Sequence, residues 1–181
     1  EEILTWLLFY ASLLDVDKLP AQDVLDPGGI VASQVIQNGN GSLRLILNAS
    51  QSSRTLSSRF VSEFFGSGVQ HIAFASRDIF ASAARLKANG VAVLPIPENY
   101  YDDLEARFDL SPDMIEKLKA HNILYDREAS AEYFQIYTPT IEGAFFFEVV
   151  ERRGYRGFGA SNAPIRLAAQ ARLAATGEGP H

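Results

Sequence analysis

The sequence predicts an α+β fold with a mixed or largely antiparallel, strongly twisted sheet. Several segments of strand character are joined by short turns, which is typical of hairpins. Residues 66–160 also follow the order strand, helix, strand, two helices and three strands, which is a βαβββ unit with a helical insertion. With 181 residues, 47% of them hydrophobic, the chain can bury a core of this kind.

The first 65 residues are predicted to form a related unit that lacks its first strand. Apolar residues recur at helical spacing near the start, at Ile3, Leu7, Tyr10 and Leu14. A strand over 30–36 and its return over 43–47 are joined by Asn38-Gly39-Asn40-Gly41, residues that tolerate the positive φ of tight turns. A serine-rich loop over 51–58 then leads into a short amphipathic helix with Phe60, Val61 and Phe64.

The next part is predicted to begin with a buried strand over 69–75. Asp78 caps a helix that ends at residue 88, and Ser111 caps another that begins at Pro112, because both side chains can accept an orphan amide N–H. The other predicted elements are a strand over 91–94, a helix over 100–108, strands over 123–126, 133–138 and 145–151, and a helix over 164–175.

These elements predict four parts of the chain. They are a first module over 1–65, a second over 66–160 with its insertion near 100–120, a C-terminal helix within 161–175 and a disordered tail over 176–181. The first helix begins at Glu1 without a Met and without a capping residue. We therefore expect a segment upstream of Glu1, with a processed or engineered start as the alternative.

Composition excludes several functional classes. A net charge of −6 and a pI near 5.1 argue against nucleic-acid binding. The absence of cysteine excludes disulfides and thiolate metal sites, and no apolar run approaches the ~20 residues of a membrane span. Nucleotide-binding, zinc-protease and serine-hydrolase motifs are also absent. We expect a cytoplasmic protein with neither a membrane nor a nucleic acid as partner.

Two polar residues interrupt apolar strands. His71 lies within residues 69–74 and Glu148 within 145–150. A buried carboxylate is costly unless it is paired or binds a cation, and imidazole and carboxylate are both good ligands for divalent metals. A shared metal site is one interpretation, although the residues are 77 positions apart and share no local motif. A hydrogen-bonded histidine and a solvent-facing glutamate would also explain the pattern.

Other polar residues have simpler explanations. His121 follows the predicted helix over 112–120, where a cation interacts favourably with the helix dipole, and His181 is the last residue. Gln135 and Tyr137 share one face of a strand, which could line a pocket or face solvent. Anion binding or simple solvation could explain a basic loop with Arg152, Arg153 and Arg156.

Six stretches of the sequence together carry a specific pattern. They are 68–74 with Arg77-Asp78-Ile79; Tyr100-Tyr101-Asp102 with Leu104 and Arg107; 123–127; 134–138; 145–152 with Gly154-Tyr155; and Gly157-Phe158-Gly159 with Asn162. In this order they resemble the 4-hydroxyphenylpyruvate dioxygenase family, over roughly residues 5–173. The resemblance implies the vicinal oxygen chelate fold, in which paired βαβββ modules form an open mixed β-barrel around a metal site.

The resemblance also implies a cofactor. Two histidines and one glutamate would hold one divalent metal. This metal would be Fe(II) in the first instance, with Mg, Mn or Co as alternatives. His71 matches the second histidine and Glu148 matches the carboxylate, while the first histidine would lie before Glu1. The open coordination positions would accept dioxygen and a small 2-oxo acid or a related anion.

Positions of the family's substrate pocket match unevenly. The resemblance assigns substrate contacts to Ser33, Asn48, Gln70, Gln135, Phe158 and Asn162. Strict alternation along the strand would point Gln70 away from His71. Three positions differ from the family pattern: Arg59 replaces Gln, Tyr137 replaces a frequent Phe, and Ala163 replaces a Phe that stacks on the substrate ring. The loss of an aromatic wall at Ala163 and the gain of a buried cation at Arg59 both favour a ligand that is more polar or anionic than a hydroxyphenyl group.

The ending over 162–170 resembles a bacterial subgroup in which this domain follows a TIM-barrel 3-dehydroshikimate dehydratase. The resemblance implies that the upstream barrel is the lyase, forming protocatechuate in quinate and shikimate catabolism, and that this chain is its dioxygenase-like domain. An authentic 4-hydroxyphenylpyruvate dioxygenase of tyrosine catabolism is one alternative, and a non-catalytic structural or regulatory module is another. We also expect a homo-oligomer.

Overall fold

The computed structural model describes residues 2–26, 28–141 and 145–176, which fall into two compact units, Glu1–Gly68 and Val69–His181. The predicted tail lies outside the described residues except for Thr176, which ends a helix. His181 and Pro27 also lie outside them. Within the described part of the chain, no helix combines the length and the apolar character needed to cross a membrane.

The first unit is a four-stranded antiparallel sheet with two helices. In chain order its elements are α1 (Glu2–Leu13), β1 (Asp17–Lys18), β2 (Gln22–Asp26), β3 (Gly29–Gln37), β4 (Arg44–Ser50) and α2 (Leu56–Glu63). β3 is the central strand, since β1 and β2 pair with one of its edges and β4 with the other. The predicted tight turn joins β3 to β4, with Gly41 at a φ of 69°.

Two predictions for this unit are wrong. β1 and β2 were not expected, because the sequence Gln22–Asp26 is mostly polar and its strand conformation depends on pairing with β3. The helix α2 begins inside the predicted serine-rich loop. Its start is fixed by Thr55, whose hydroxyl accepts the N–H of Ser58 at 3.2 Å.

The second unit contains the predicted βαβββ order. Its elements are β5 (His71–Ala75), α3 (Ile79–Ala88), α4 (Asn99–Arg107), α5 (Pro112–Ala120), β6 (Leu124–Glu128), β7 (Ala131–Tyr137), β8 (Phe146–Arg153), a 3-10 turn (Ala160–Asn162) and α6 (Ala163–Thr176). The strand order is β5-β8-β7-β6, with β5 parallel to β8 and the other pairs antiparallel. The sheet is therefore mixed, as predicted, and α4 and α5 form the insertion.

Helices α3, α4 and α5 pack with the sheet to form the core of this unit. Fully buried members include Ile79, Leu104, Leu118 and Phe134. Burial of each such side chain contributes about 1.5–3 kcal/mol. The predicted caps form, because Asp78 accepts the N–H of Ala81 and Ser111 accepts that of Met114.

Two strand predictions for the second unit need correction. Residues 91–94 do not form a strand. Pro95 and Pro97 follow them and cannot donate ladder hydrogen bonds, and the Leu94 N–H donates to the carbonyl of Tyr137 at 2.7 Å. β5 forms, but Ile72 and Phe74 are exposed rather than buried. The reason is that β5 is the end strand of its sheet.

Candidate metal centre

His71 and Glu148 lie on neighbouring strands and face the same side of the sheet. β5 and β8 run parallel with Ala73 opposite Glu148, so His71, two residues before Ala73, points to that same side. His71 Nε2 and Glu148 Oε2 are 3.7 Å apart. The mixed sheet therefore brings the two predicted metal ligands together.

Burial keeps the imidazole of His71 neutral. Its ring stacks on Phe146, with centroids 4.8 Å apart and planes 6° from parallel, and 23% of the side chain is exposed. Desolvation, followed by the positive charge of Arg166, lowers the pKa of His71 to about 4. At neutral pH the ring therefore retains a nitrogen lone pair with which it could bind a metal.

Glu148 is oriented by hydrogen bonds to its carboxylate. Its Oε1 accepts an N–H of Gln135 at 2.9 Å, and the hydroxyl of Tyr137 also bonds to the carboxylate. Burial raises the pKa of Glu148, while the bonds from Gln135 and Tyr137 and the charge of Arg166 act in the opposite direction. The oxygen that faces His71 is Oε2.

The side chain of Gln135 is itself held by further hydrogen bonds. Its second amide N–H donates to the Tyr137 hydroxyl at 2.6 Å, and its Oε1 accepts an N–H of Asn162 at 2.8 Å. Asn162 is fully buried, and its Oδ1 lies 3.1 Å from the hydroxyl of Tyr100. Because the Asn162 nitrogen binds the Gln135 oxygen, the Gln135 nitrogen must face Glu148. A connected polar network therefore fixes the carboxylate.

The paired donors suit a divalent cation. A neutral imidazole nitrogen and a carboxylate oxygen 3.7 Å apart can both reach one ion through bonds of about 2.0–2.2 Å. The buried carboxylate would also gain the positive charge that offsets its desolvation. Within residues 2–26, 28–141 and 145–176, no set of three or more His, Cys, Asp or Glu side chains is arranged to hold a metal.

Gln70 and Phe158 are two further site candidates in the second unit. Gln70 is half-buried immediately before β5, where its carbonyl accepts the N–H of Phe146 at 3.2 Å. In the described residues its side chain makes no hydrogen bond to the His71–Glu148 pair, which agrees with strict alternation. Phe158 is half-buried in the loop before the 3-10 turn.

Three further candidates lie in the first unit. Ser33 and Asn48 are opposite each other on β3 and β4, and Ser33 Oγ donates to Asn48 Oδ1 at 2.7 Å. Ser33 is buried, whereas Asn48 is exposed. The prediction that Arg59 is a buried cation is wrong, because α2 turns the neighbouring Phe60 inward and leaves Arg59 exposed.

Two other features that the sequence singled out are His121 and the basic residues at the end of β8. His121 follows the last residue of α5, and its N–H bonds to carbonyls of the last helical turn. The predicted basic loop begins later than expected, because Arg152 and Arg153 belong to β8. Arg153 pairs with Glu151 at 2.6 Å and with Glu132 at 3.2 Å, so this arginine is already engaged by carboxylates.

Sequence reasoning missed Arg166 and the role of Tyr100. Arg166 lies on α6, with its guanidinium 5.0 Å from the ring centroid of Phe146 and 5.7 Å from that of Tyr137. Tyr100, on α4, reaches Asn162. Both residues lie in stretches that carry the family resemblance, but local spacing does not indicate that they reach the site, since only the packing of the helices against the sheet brings them there.

Comparison with known proteins identifies the family. The Glyoxalase/Bleomycin resistance protein/Dioxygenase superfamily matches residues 5–123. A 3-dehydroshikimate dehydratase of Pseudomonas aeruginosa is 48% identical over 169 residues, which are 92% of this chain and 27% of that protein. A 4-hydroxyphenylpyruvate dioxygenase of Legionella pneumophila is 31% identical over 160 residues, or 87% of this chain and 46% of that protein.

A solved structure supports the same relationship. It is a xylose isomerase-like TIM barrel/4-hydroxyphenylpyruvate dioxygenase fusion protein, 44% identical with a TM-score of 0.74. The match covers 93% of this chain and 27% of that one, so this chain spans about a quarter of the fusion protein and of the dehydratase. The helices, the antiparallel sheet of the first unit and the mixed sheet of the second unit agree with that fold. The chain belongs to the glyoxalase/bleomycin resistance protein/dioxygenase superfamily.

Proposed function

We propose that this chain is the 4-hydroxyphenylpyruvate dioxygenase-like, metal-binding domain of a larger bacterial protein whose TIM barrel dehydrates 3-dehydroshikimate. The relatives support this proposal, since the match to the dehydratase and to the fusion protein covers nearly all of this chain and only 27% of each of them. In this proposal the lyase reaction belongs to the barrel. The domain described here binds a divalent metal and a small anionic ligand.

His71 and Glu148 would hold the metal. A bound divalent ion such as Fe(II) would supply Lewis-acid binding of a 2-oxo acid and reactivity toward dioxygen. The chain's own residues prepare that site. Burial keeps His71 neutral, and Gln135 and Tyr137 hold Glu148 so that one carboxylate oxygen faces His71. Supporting bonds of this kind orient metal ligands and tune their affinity.

The observation that carries the proposal is the 3.7 Å approach of the His71 nitrogen to the Glu148 oxygen in a largely buried setting. The test is binding of Fe(II), titrated calorimetrically without oxygen. His71→Ala and Glu148→Gln should each weaken binding at least about tenfold, because each removes one donor. His121→Ala is the matched control and should bind as the wild type does. Unchanged affinity in His71→Ala would refute the site.

An authentic 4-hydroxyphenylpyruvate dioxygenase is the second candidate. It is favoured by Gln135 and Asn162, which match the family pattern and are joined by a 2.8 Å hydrogen bond. Oxygen uptake by the iron-loaded full-length protein with 4-hydroxyphenylpyruvate separates the candidates. We expect no substrate-dependent uptake, because Tyr137 and Ala163 alter the aromatic pocket. Rapid oxygen uptake, stoichiometric with the substrate, would reverse the order of the two candidates. Failure to bind a metal would instead support a non-catalytic module.

A further inference from the structure

The hydroxyl of Tyr100 connects three elements of the second unit. Tyr100 lies in the first turn of α4 and is almost fully buried. Its oxygen accepts the N–H of Tyr125, on the edge strand β6, at 2.8 Å. The same hydroxyl can donate at 3.1 Å to the carbonyl of Tyr125 and at 3.1 Å to Asn162 Oδ1, in the 3-10 turn before α6. One buried hydroxyl therefore holds together the insertion, an edge of the sheet and the C-terminal segment.

Asn162 depends on this hydroxyl for the orientation of its side-chain amide. Its Nδ2 donates to Gln135 Oε1 at 2.8 Å, so its Oδ1 faces the other way and needs a donor. In the part of the chain that the structure describes, Tyr100 is the one donor to this oxygen. Asn162 is fully buried, so bulk water does not replace a donor that is lost. Removal of the hydroxyl would therefore leave the Asn162 amide less firmly oriented.

A continuous path of hydrogen bonds leads from Tyr100 to the candidate metal centre. After Asn162 it passes through Gln135, whose Nε2 donates to Glu148 Oε1 at 2.9 Å. The path has three hydrogen bonds, and all four of its side chains are buried. Partners beyond the ligands themselves fix ligand orientation in metal sites, and hydrogen bonds in a buried chain strengthen one another. A change at Tyr100 should therefore reach the carboxylate.

We propose that Tyr100 is a positioning residue for the candidate metal centre, acting on Glu148 through Asn162 and Gln135, so that the packing of α4 influences metal binding. The proposal rests on the proposed function only for the metal, because the hydrogen-bond path itself does not require one. Coupling of this kind is reciprocal. Metal binding at Glu148 therefore stabilises the contact between α4 and β6.

Tyr101 offers a matched control. It is the next residue on α4 and is equally buried, and its ring packs edge-to-face on that of Tyr100 with centroids 5.1 Å apart. The Tyr101 hydroxyl has no hydrogen-bond partner among the described residues. Tyr101→Phe therefore removes the same group from the same helix without breaking a hydrogen bond.

The first test is the affinity of the full-length protein for Fe(II), titrated calorimetrically without oxygen. Tyr100→Phe should weaken binding about three- to tenfold, because it removes a distant partner of one ligand, and Tyr101→Phe should bind as the wild type does. In an Asn162→Ala background, Tyr100→Phe should cause no further loss, since the path is already broken. A purely structural role of Tyr100 predicts the same loss in both backgrounds. That result, or unchanged affinity in Tyr100→Phe, would overturn the proposal.

Crystal structures of the metal-free variants give a readout that needs no metal. The side-chain amide of Gln135 should move in Tyr100→Phe and stay in place in Tyr101→Phe. If the wild type bound no Fe(II), the proposed function would fail, and these structures would still test the path. An unmoved Gln135 amide in Tyr100→Phe would overturn the role of the hydroxyl.

If Tyr100→Phe does not fold, as judged by circular dichroism, hydrogen exchange in the wild type decides. Fe(II) should slow the exchange of the Tyr125 N–H, which donates to Tyr100. It should have less effect on the N–H of Ile123, which donates to the carbonyl of Leu118 at 2.9 Å. Ile123 is equally buried and lies outside the path. Equal slowing at the two amides would contradict the coupling.

Discussion

Asn162 fixes which way the side-chain amide of Gln135 points. Its Nδ2 donates to Gln135 Oε1 at 2.8 Å, which leaves the Gln135 nitrogen to donate to Glu148 at 2.9 Å. Asn162 comes from the 3-10 turn before α6, whereas Gln135 and Glu148 come from β7 and β8. The C-terminal segment therefore orients the carboxylate of the candidate metal centre through one intermediate residue.

Asn162→Asp should destabilise the fold and weaken metal binding. The new carboxylate would face the Gln135 oxygen without a proton between them, and it would be a buried charge. We expect a loss of about 2–4 kcal/mol in the free energy of unfolding, measured in urea. Asn99→Asp is the control, because Asn99 is exposed at the first turn of α4, where a negative charge is tolerated. Equal stability of the two variants would contradict the role of Asn162.

Gly159→Ala should also disturb the side-chain amide of Gln135, through a steric contact. Gly159 has a φ of 69°, and a Cβ there would lie 2.5 Å from Gln135 Oε1 and from a ring carbon of Tyr133. Gly90→Ala is a matched control, since Gly90 has a φ of 70° and open space around the new Cβ. Both variants carry backbone strain of about 1–2 kcal/mol, and only Gly159→Ala adds overpacking of about 1–3 kcal/mol. Thermal unfolding should show this difference, and equal losses would argue against the close packing.

The protein should lose stability in alkali as its buried tyrosines ionise. Burial is the first cause that raises the pKa of Tyr100, Tyr101, Tyr125, Tyr137 and Tyr155. For Tyr125, burial and then Glu132 raise the pKa to about 12. The unfolded chain releases these protons near pH 10, before the folded one does. The stabilisation that these tyrosines contribute is therefore fully present below about pH 10, and it is lost as the pH rises through about 12.

Absorbance at 295 nm and circular dichroism, followed together during a pH titration, check this expectation. Most of the tyrosinate signal should appear only as the far-ultraviolet circular dichroism of the fold is lost. Reversible ionisation of these five tyrosines near pH 10 with an intact circular dichroism spectrum would contradict the burial that raises their pKa values.

Local patterns predicted much of the fold. Asp78 and Ser111 fixed two helix starts because a cap depends on hydrogen bonds within one turn. Alternation put Gln135 and Tyr137 on one face of β7 because side chains alternate along any strand. The prediction failed for β2, whose polar residues become a strand only through pairing with β3, and for 91–94, where the flanking prolines and the lack of a neighbouring ladder leave an apolar segment irregular.

The sequence by itself determined that His71 and Glu148 are polar residues within apolar strands and are therefore candidates for one site. Only the tertiary structure decided that they meet, because the parallel pairing of β5 with β8 brings together residues 77 positions apart. It also decided that Asn162 and Arg166 act at that site, since the packing of the chain's last elements against the sheet is a long-range interaction. Local residue patterns report hydrogen bonds and spacing within one element, and contacts between distant elements depend on how the whole core packs.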